Sequence, residues 1–318
     1  MSDQRVNKEE SIRLSVSEAF SRKVNLDFVL PGLLTESTGL IIAPGGTGKS
    51  MIALEIGMSV ALGRDVFDLF GGEEITPGDV VYLNVEDSRQ LIHSRLHNFA
   101  HMFPEQDDID ELEAAIHILP AVGMGFRIAT KEGGHVVATP QFEQWTKRLK
   151  EMKVRPRLVI FDTLNRLSAG LDENSNAEMG QLMSLIDAFN RDVGCASMIV
   201  HHASKAAMWS NQGDSQQAGR GASAVTDNAR WQMNLMTMPK DMAEQENLPE
   251  EDRKNWVKME LAKVNAGPPV DARWARRIQG GILMGREMPP WELDPTSKKK
   301  SKNKPSKMIK TGEEEDPY

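Results

Sequence analysis

The eight residues from Ala43 to Ser50, APGGTGKS, have the composition and spacing of a phosphate-binding loop. Glycine-rich backbone wraps an anion with its N–H groups, and the N-terminus of a following helix adds a favourable partial charge. We expect Lys49 to reach the β- and γ-phosphates of a nucleotide and Ser50 to place its hydroxyl on Mg²⁺. The predicted nucleotide-binding residues are the loop and the start of its helix: Pro44, Gly45, Gly46, Thr47, Gly48, Lys49, Ser50 and Met51.

The segments on either side of this loop support the prediction. An apolar run at residues 39–42 precedes the loop and an apolar-periodic segment at residues 51–62 follows it, so the loop joins a predicted strand to a predicted helix. The alternative is a glycine-rich turn that arises by chance, and such a turn would not require a strand before it and a helix after it. The strict pattern has glycine at its first position, where this chain has Ala43. We expect the methyl group to be tolerated if that residue ends the strand with a negative φ.

Two carboxylates follow apolar runs that are predicted to be buried strands. Asp162 follows residues 158–161, and Glu86 follows residues 79–85. In an open parallel sheet, ligands bind outside the carboxyl ends of the strands, so these side chains would face the nucleotide. Asp162 would hold Mg²⁺, usually through water. Glu86 would orient and deprotonate the water that attacks the γ-phosphate.

Two pairs of neighbouring residues leave a choice open. Asp87, rather than Glu86, is expected to cap the helix predicted over residues 91–103, since aspartate is frequent at helix starts, and Glu86 is then the candidate base. His201 and His202 end another predicted strand, where a histidine is a candidate γ-phosphate sensor. Strand alternation sends the two rings to opposite faces, so we expect only one of them to face the phosphates.

The order of the apolar runs predicts an α/β fold. Strands that alternate with helical segments of roughly a dozen residues argue for βαβ units and a mostly parallel sheet flanked by helices. Residues 230–238, 256–264 and 272–283 have strand character without long helices between them, which favours antiparallel edge strands towards the C-terminus. The earlier strands are predicted at residues 39–42, 79–85, 116–119, 157–161 and 197–200, and helices at residues 51–62, 91–103, 142–152 and 180–193. Residues 123–139 are glycine-rich and ambiguous.

Length and charge bound the organisation of the chain. Its 318 residues suit one large α/β domain or two small ones, and its net charge of −8 disfavours coating by nucleic acid without excluding a local basic channel. Because Cys195 is the single cysteine, no intrachain disulfide can form, which suits the reducing cytoplasm. The sequence has no signal peptide and no apolar run of the ~20 residues that a membrane span needs. We therefore expect a cytoplasmic protein with no membrane partner. We predict a polar N-terminal segment at residues 1–25, a candidate interface arm, then a core at residues 26–288 and a disordered Lys-rich, then acidic tail at residues 289–318.

Beyond the P-loop, an ordered set of short stretches resembles the RepA-type plasmid replicative helicases of the DnaB/RecA-like superfamily. The stretches are YLNVED at 82–87, IHSRLH at 92–97, VIFDTL at 159–164, HHASK at 201–205, DNARW at 227–231 and AKVN at 262–265. The P-loop alone is shared with many ATPases, whereas this set is far more specific and spans residues 26–283. The resemblance implies a RecA-like P-loop NTPase core that forms a homo-hexameric ring, binds ATP and Mg²⁺ at each subunit interface and moves 5′→3′ along single-stranded DNA.

The resemblance also implies further catalytic residues. His202 matches the γ-phosphate sensor, and Arg230 matches the arginine that such helicases insert into the neighbour's site. An arginine supplied in trans can raise the rate by roughly 10³–10⁵. Lys263 matches the lysine of the Lys-x-Arg element, but Asn265 replaces its arginine, which leaves Arg230 or Lys263 to supply the charge. The alternative for Arg230 is an ion pair with Asp227 or stacking on Trp231.

The resemblance places a DNA-binding loop after the sensor strand. Residues 209–226 are rich in Gly, Ser, Gln and Asn, with Arg220 as the basic member and Lys205 just before the loop. Such a loop would track a phosphate backbone without reading sequence, and a plain flexible connector is the alternative. The lysines between positions 298 and 310 would add non-specific attraction to DNA or form a solvated tail.

Three functions fit these predictions. The first is an ATP-dependent, ring-forming helicase in plasmid or phage replication. The second is a RecA-like ATPase that remodels DNA or DNA–protein complexes without unwinding, and the third is a DNA-binding initiator or regulator whose assembly a nucleotide controls. Because no primase or loader-binding domain is recognisable, a primase, an initiator or a single-strand-binding protein would act as a partner.

Overall fold

The structure is a computed structural model that describes residues 14–153, 155–202, 223–245, 248–268 and 270–286. Its strands, in chain order, are β1 Phe28–Leu30, β2 Leu33–Leu34, β3 Thr38–Ala43, β4 Val80–Asn84, β5 Ile116–Pro120, β6 Ala129–Glu132, β7 His135–Ala138, β8 Leu158–Asp162, β9 Ala196–His202, β10 Trp231–Thr237, β11 Trp256–Val264, β12 Arg273–Arg277 and β13 Leu283–Arg286. Its helices are α1 Val16–Ser21, α2 Lys49–Ala61, α3 Arg89–Asn98, α4 Gln106–Ala115, α5 Pro140–Lys150, α6 Leu164–Leu167, α7 Asn176–Val193, α8 Ala224–Asn228, α9 Lys240–Gln245 and α10 Glu250–Arg253.

A nine-stranded sheet in the order β13-β12-β11-β10-β3-β9-β8-β4-β5 forms the centre of the described structure. The six strands from β10 to β5 in this order run parallel, and β11, β12 and β13 extend the sheet in antiparallel fashion. The predicted α/β fold with antiparallel edge strands is therefore confirmed. One detail differs, because β10 was expected within the antiparallel part and instead pairs parallel to β3. The chain between β9 and β10 exceeds the dozen residues that a parallel crossover needs.

Side chains alternate between two apolar layers, one on each side of the sheet. In β4, Val80 and Tyr82 belong to the layer that contains α2, whereas Val81 and Leu83 belong to the layer that contains α7. Nearly every residue of α2 is buried, so this helix is enclosed rather than amphipathic. The carboxyl ends of the parallel strands meet at one edge of the sheet, and the P-loop leaves β3 at that edge.

Several local elements differ from the sequence predictions. Helix α4 was not predicted, because it is rich in acidic residues and buries only Leu112. Residues 272–283 were predicted as one strand but form β12, a turn and part of β13; the turn contains Gly280 and Gly281, which both have positive φ. The helix predicted at residues 91–103 is α3 followed by a 3₁₀ turn at Ala100–Met102. The ambiguous segment contains the β6–β7 hairpin.

The predicted terminal segments are described only in part. Residues 14–25 include the short helix α1, which Ser15 caps and which buries none of its residues. The predicted tail at residues 289–318 lies outside the described residues. Across the described ranges, no helix has both the length and the apolar character that crossing a membrane requires.

Candidate nucleotide-binding site

The P-loop connects the carboxyl end of β3 to the first turn of α2. Gly46 and Gly48 have φ values of 78° and 111°, a left-handed backbone that glycine adopts without steric cost. A Cβ atom added at Gly45 or Gly46 would meet no atom within 4 Å, so open space lies over the loop. Ala43 ends β3 as a buried residue and is not among the described residues with positive φ, so its methyl group fits, as predicted.

Lys49 extends back over the loop from the first position of α2. Its Nζ donates a hydrogen bond to the carbonyl oxygen of Pro44 at 3.0 Å, and the side chain is buried. Burial lowers the pKa of Lys49, while the nearby carboxylates of Asp162 and Glu86 act in the opposite direction. The ammonium group is thus held above the loop, at the position from which it would reach a phosphate.

Asp162 ends β8 with a fully buried carboxylate next to the P-loop serine. Tyr82 donates its hydroxyl to Asp162 Oδ2 at 2.5 Å, and Ser50 also forms a hydrogen bond with this carboxylate. Burial raises the pKa of Asp162, and the hydrogen bonds from Tyr82 and Ser50 partly offset that rise. A serine hydroxyl beside a carboxylate provides the oxygen ligands that Mg²⁺ prefers, so these two residues fit the predicted metal site.

Asn84, which the sequence analysis did not single out as a site residue, links this carboxylate to the turn that carries Glu86. Its Nδ2 donates to Asp162 Oδ2 at 3.0 Å and to the hydroxyl of Tyr82 at 3.0 Å. Its Oδ1 accepts the backbone N–H groups of Glu86 at 3.1 Å and Asp87 at 2.7 Å. The sequence did contain a signal for Asn84, because it is a polar residue at the last position of an otherwise apolar strand.

Glu86 and His202 lie together at the mouth of the site. Thr163 donates its hydroxyl to Glu86 Oε2 at 3.0 Å, and His202 Nε2 lies 3.7 Å from the same oxygen. His202 lines the cavity over the P-loop, whereas the neighbouring His201 is buried within the sheet. Alternation along β9 therefore places only one of the two histidines in this cavity, as expected.

The cap predicted at Asp87 is wrong. Helix α3 begins at Arg89, and Ser88 caps it by accepting the N–H of Leu91 at 3.2 Å. Because the helix starts one residue later than an Asp87 cap requires, Asp87 is free for another contact, and Arg95 Nη1 donates to it at 2.6 Å. Ser88, like aspartate, is a preferred N-cap residue type, so the local sequence contained two suitable candidates.

These side chains line a cavity of about 370 Å³, whose residues are Gly45, Gly46, Gly48, Lys49, Ser50, Met51, Glu86, Asp87, Arg95, Thr163, His202 and Arg277. Arg95 and Arg277 were not predicted as site residues. A larger groove of about 510 Å³ lies elsewhere, and its mostly apolar lining includes no P-loop residue. The phosphate-binding backbone and the catalytic residue types belong to the smaller cavity, which is therefore the candidate site.

Arg230 and Lys263 lie at the opposite edge of the sheet. The N–H of Arg230 donates at 2.8 Å to the carbonyl oxygen of Thr38, the first residue of β3, whereas the P-loop follows the last residue of that strand. The six residues of β3 span five steps from one edge to the other, or about 17 Å at ~3.3 Å per residue. Lys263 Nζ donates to the carbonyl oxygens of Thr226 and Asp227 at 3.0 and 2.8 Å. These two cations are therefore remote from the P-loop of their own chain.

The structural alternatives for Arg230 are not observed. Within the described ranges, Arg230 forms no ion pair with Asp227 and no cation–π contact with Trp231. Trp231 is fully buried, and its Nε1 donates to the carbonyl oxygen of Pro31 at 3.0 Å. The predicted DNA contacts Lys205 and Arg220 lie outside the described residues.

A P-loop at the carboxyl edge of a parallel sheet, with a buried carboxylate beside its serine, defines a nucleotide-binding α/β domain. The chain belongs to the AAA domain family, which it matches over residues 6–208, more than half of its length.

Two solved structures share the fold. The first, described as an ATPase domain, aligns with 90% of this chain and 98% of its own, with a TM-score of 0.56 and 16% identity. The second is a DnaB-like replicative helicase, whose structure is described together with its interactions with primase. It aligns with 86% of this chain and 68% of its own, also with a TM-score of 0.56 and 16% identity. This likeness establishes the fold of a RecA-like ATPase domain.

Proposed function

We propose that this protein is an ATP-dependent, ring-forming replicative helicase that moves 5′→3′ along single-stranded DNA. The observation that carries the proposal is the division of the catalytic residue types between two edges of one sheet. The P-loop, Glu86, Asp162 and His202 lie at the carboxyl edge, while Arg230 lies at the amino edge. Such a site becomes complete only when two copies meet, and a closed ring gives every copy a neighbour. The fold shared with a DnaB-like replicative helicase supports this proposal.

The residues of the carboxyl edge suit hydrolysis of a nucleoside triphosphate. Mg²⁺, when bound with ATP, neutralises charge that develops on the β- and γ-phosphates. Ser50 and Asp162 would hold that ion, and Lys49 would contact the same phosphates. Glu86 would accept the proton of the attacking water, while the hydrogen bond from Thr163 fixes the orientation of its carboxylate.

The amino edge would supply a cation to the neighbouring subunit. Two hydrogen bonds to the carbonyl groups at the end of α8 already engage the Lys263 ammonium group. Arg230 is exposed and precedes β10, so its guanidinium is available to the neighbour's γ-phosphate. We therefore favour Arg230 as the residue that acts in trans and assign Lys263 to holding α8.

Strand displacement tests the proposed function directly. We expect ATP hydrolysis by the full chain to rise with single-stranded DNA, and a 5′-tailed duplex to be unwound in preference to a 3′-tailed one. Stimulated hydrolysis without displacement would instead indicate the remodelling ATPase, and hydrolysis that ignores DNA would indicate the nucleotide-controlled initiator or regulator. Addition of a primase, an initiator or a single-strand-binding protein to the same assay would test the proposed partners.

Mixing two inactive variants tests the shared site. Lys49→Ala and Arg230→Ala subunits together should form some interfaces with a complete set of residues, so ATPase activity should partly return. Native mass spectrometry must show mixed rings. If mixed rings form without activity, and mixtures of Lys49→Ala with Lys263→Ala do recover, then Lys263 is the residue that acts in trans.

A further inference from the structure

The edge hairpin formed by β12 and β13 contacts the P-loop and its helix at three points. Arg277, at the end of β12, donates from Nη2 to the carbonyl oxygen of Thr47 at 2.7 Å. Leu283, at the start of β13, donates its N–H to Glu55 Oε1 of α2 at 2.8 Å. Both side chains also pack over Gly48, where an added Cβ would lie 3.1 Å from Leu283 Cδ1 and 3.4 Å from Arg277 Nη1.

This contact desolvates two ionisable groups, which packing alone would not require. Glu55 is fully buried, and burial lowers the pKa of Arg277 while the charge of Glu55 acts in the opposite direction. Burying the charge of Arg277, or the polar carboxyl group of Glu55, carries a free-energy cost that apolar side chains of similar size would not have. The hydrogen bond to the Thr47 carbonyl group offsets part of this cost for Arg277, and it ties the hairpin to the P-loop backbone.

The P-loop needs such a support because its glycines leave the backbone free. Gly45 and Gly46 have open space above them, and glycine loses more conformational freedom on ordering than any other residue. A loop that is ordered before the ligand arrives does not lose that entropy on binding. Arg277 fixes the loop by holding the Thr47 carbonyl group, and a planar guanidinium is well suited to do so.

We propose that Arg277 is a positioning residue for nucleotide binding, and that Glu55 anchors the hairpin that carries it. The guanidinium holds the carbonyl group of Thr47 in the P-loop, and the Leu283–Glu55 hydrogen bond fixes the start of β13 against α2. The proposal rests on the proposed function only in that the loop binds a nucleotide. It depends neither on DNA unwinding nor on ring formation.

The neighbouring Arg276 provides a matched control. It lies on the same strand, but its Nη2 is 3.6 Å from Asp252 Oδ1 and its guanidinium lies 5.9 Å from the ring centre of Trp256. Arg276→Ala therefore removes the same side chain, one residue away, without touching the P-loop. Arg277→Lys retains a positive charge and a donor for the Thr47 carbonyl group, on a shorter side chain without the planar guanidinium.

The experiment measures the affinity of the full chain for a fluorescent ATP analogue, together with KM and kcat for ATP and the melting temperature. We expect Arg277→Ala to weaken binding about tenfold or more, the effect of losing one charge-assisted hydrogen bond. KM should rise more than kcat falls, Arg277→Lys should recover part of the affinity, and Arg276→Ala should bind like the wild type.

Equal affinities for Arg277→Ala and Arg276→Ala would overturn the proposal, since Arg277 would then only pack. If Arg277→Ala does not fold, Arg277→Met decides, because it keeps the apolar length of the side chain without a donor for the Thr47 carbonyl group, and wild-type affinity and KM in that variant would also overturn the proposal. Lys49→Ala separates this outcome from failure of the proposed function. If Lys49→Ala binds the analogue as well as the wild type, the P-loop is not the nucleotide site.

Discussion

The free energy of unfolding of the wild type should decrease as pH rises because of the buried carboxyl group of Glu55. Replacing that group by an amide in Glu55→Gln should abolish this decrease. Glu55 is fully buried in α2, and its Oε1 accepts the N–H of Leu283 at 2.8 Å. Burial raises the pKa of Glu55 from 4.5 to about 8, while the Leu283 hydrogen bond and the charge of Arg277 act in the opposite direction. In Glu55→Gln the amide oxygen still accepts that hydrogen bond, but the group no longer titrates.

The direction follows from proton binding in the two states. Between pH 4.5 and pH 8 the unfolded chain has released the proton of Glu55 and the folded chain retains it, so the free energy of unfolding decreases as pH rises. Stability from this group is fully present below pH 4.5 and is lost as pH rises towards the folded pKa. At about 1.4 kcal/mol for each unit of pKa difference, the decrease between pH 5 and pH 8 is about 3–4 kcal/mol.

Urea unfolding at pH 5, 6, 7 and 8 measures this effect. The wild type should lose stability relative to Glu55→Gln by about 3–4 kcal/mol across that range. A constant offset between the two proteins is expected from the buried amide N–H₂ group and does not affect the comparison. Glu111→Gln, which removes an exposed carboxylate on α4, should follow the wild type at every pH. Parallel curves for the wild type and Glu55→Gln would refute the argument.

Three further predictions concern the candidate site. Lys49→Ala should abolish ATP hydrolysis and leave the circular dichroism spectrum unchanged, and wild-type rates would disprove the site. Glu86→Gln should bind nucleotide normally but turn over at least ~10² times more slowly, as expected for a lost general base, whereas a severe Asp87→Asn with a mild Glu86→Gln would reverse their roles. Tyr82→Phe removes the hydroxyl that holds Asp162, so the Mg²⁺ concentration for half-maximal hydrolysis should increase. An unchanged Mg²⁺ titration would show that the hydrogen bonds from Asn84 and Ser50 are sufficient to hold the Asp162 carboxylate.

The sequence was sufficient where a residue of the candidate site lies at the end of an apolar strand. The P-loop follows β3, Asp162 ends β8 and His202 ends β9, and each apolar run identified the residue that emerges at the carboxyl edge. The parallel sheet brings these ends together whatever the details of the connecting segments. Three separated stretches of sequence therefore predicted one common location.

The sequence was insufficient where a contact of the candidate site depends on the register between distant strands. Arg277 reaches Thr47 across 230 positions of sequence, and no local pattern indicates this contact. Arg276 and Arg277 are identical in type and adjacent on β12, and only the pleat decides which of them faces the P-loop. Because residues 272–283 were predicted as one strand, the prediction missed the turn between β12 and β13 that brings Leu283 back onto α2.

The pairing of β3 with β10 gives the proposed ring a physical link between its sites. β3 begins at Thr38, whose carbonyl group accepts the N–H of Arg230, and ends at the P-loop. The two strands run parallel and are paired over four residue positions, so the Arg230 backbone and the P-loop are attached to one rigid part of the sheet. A rotation of one subunit would then leave its own P-loop unchanged and move its Arg230 relative to the neighbour's nucleotide. Under the proposed function, the position of the adjacent subunit would thereby control hydrolysis at each site.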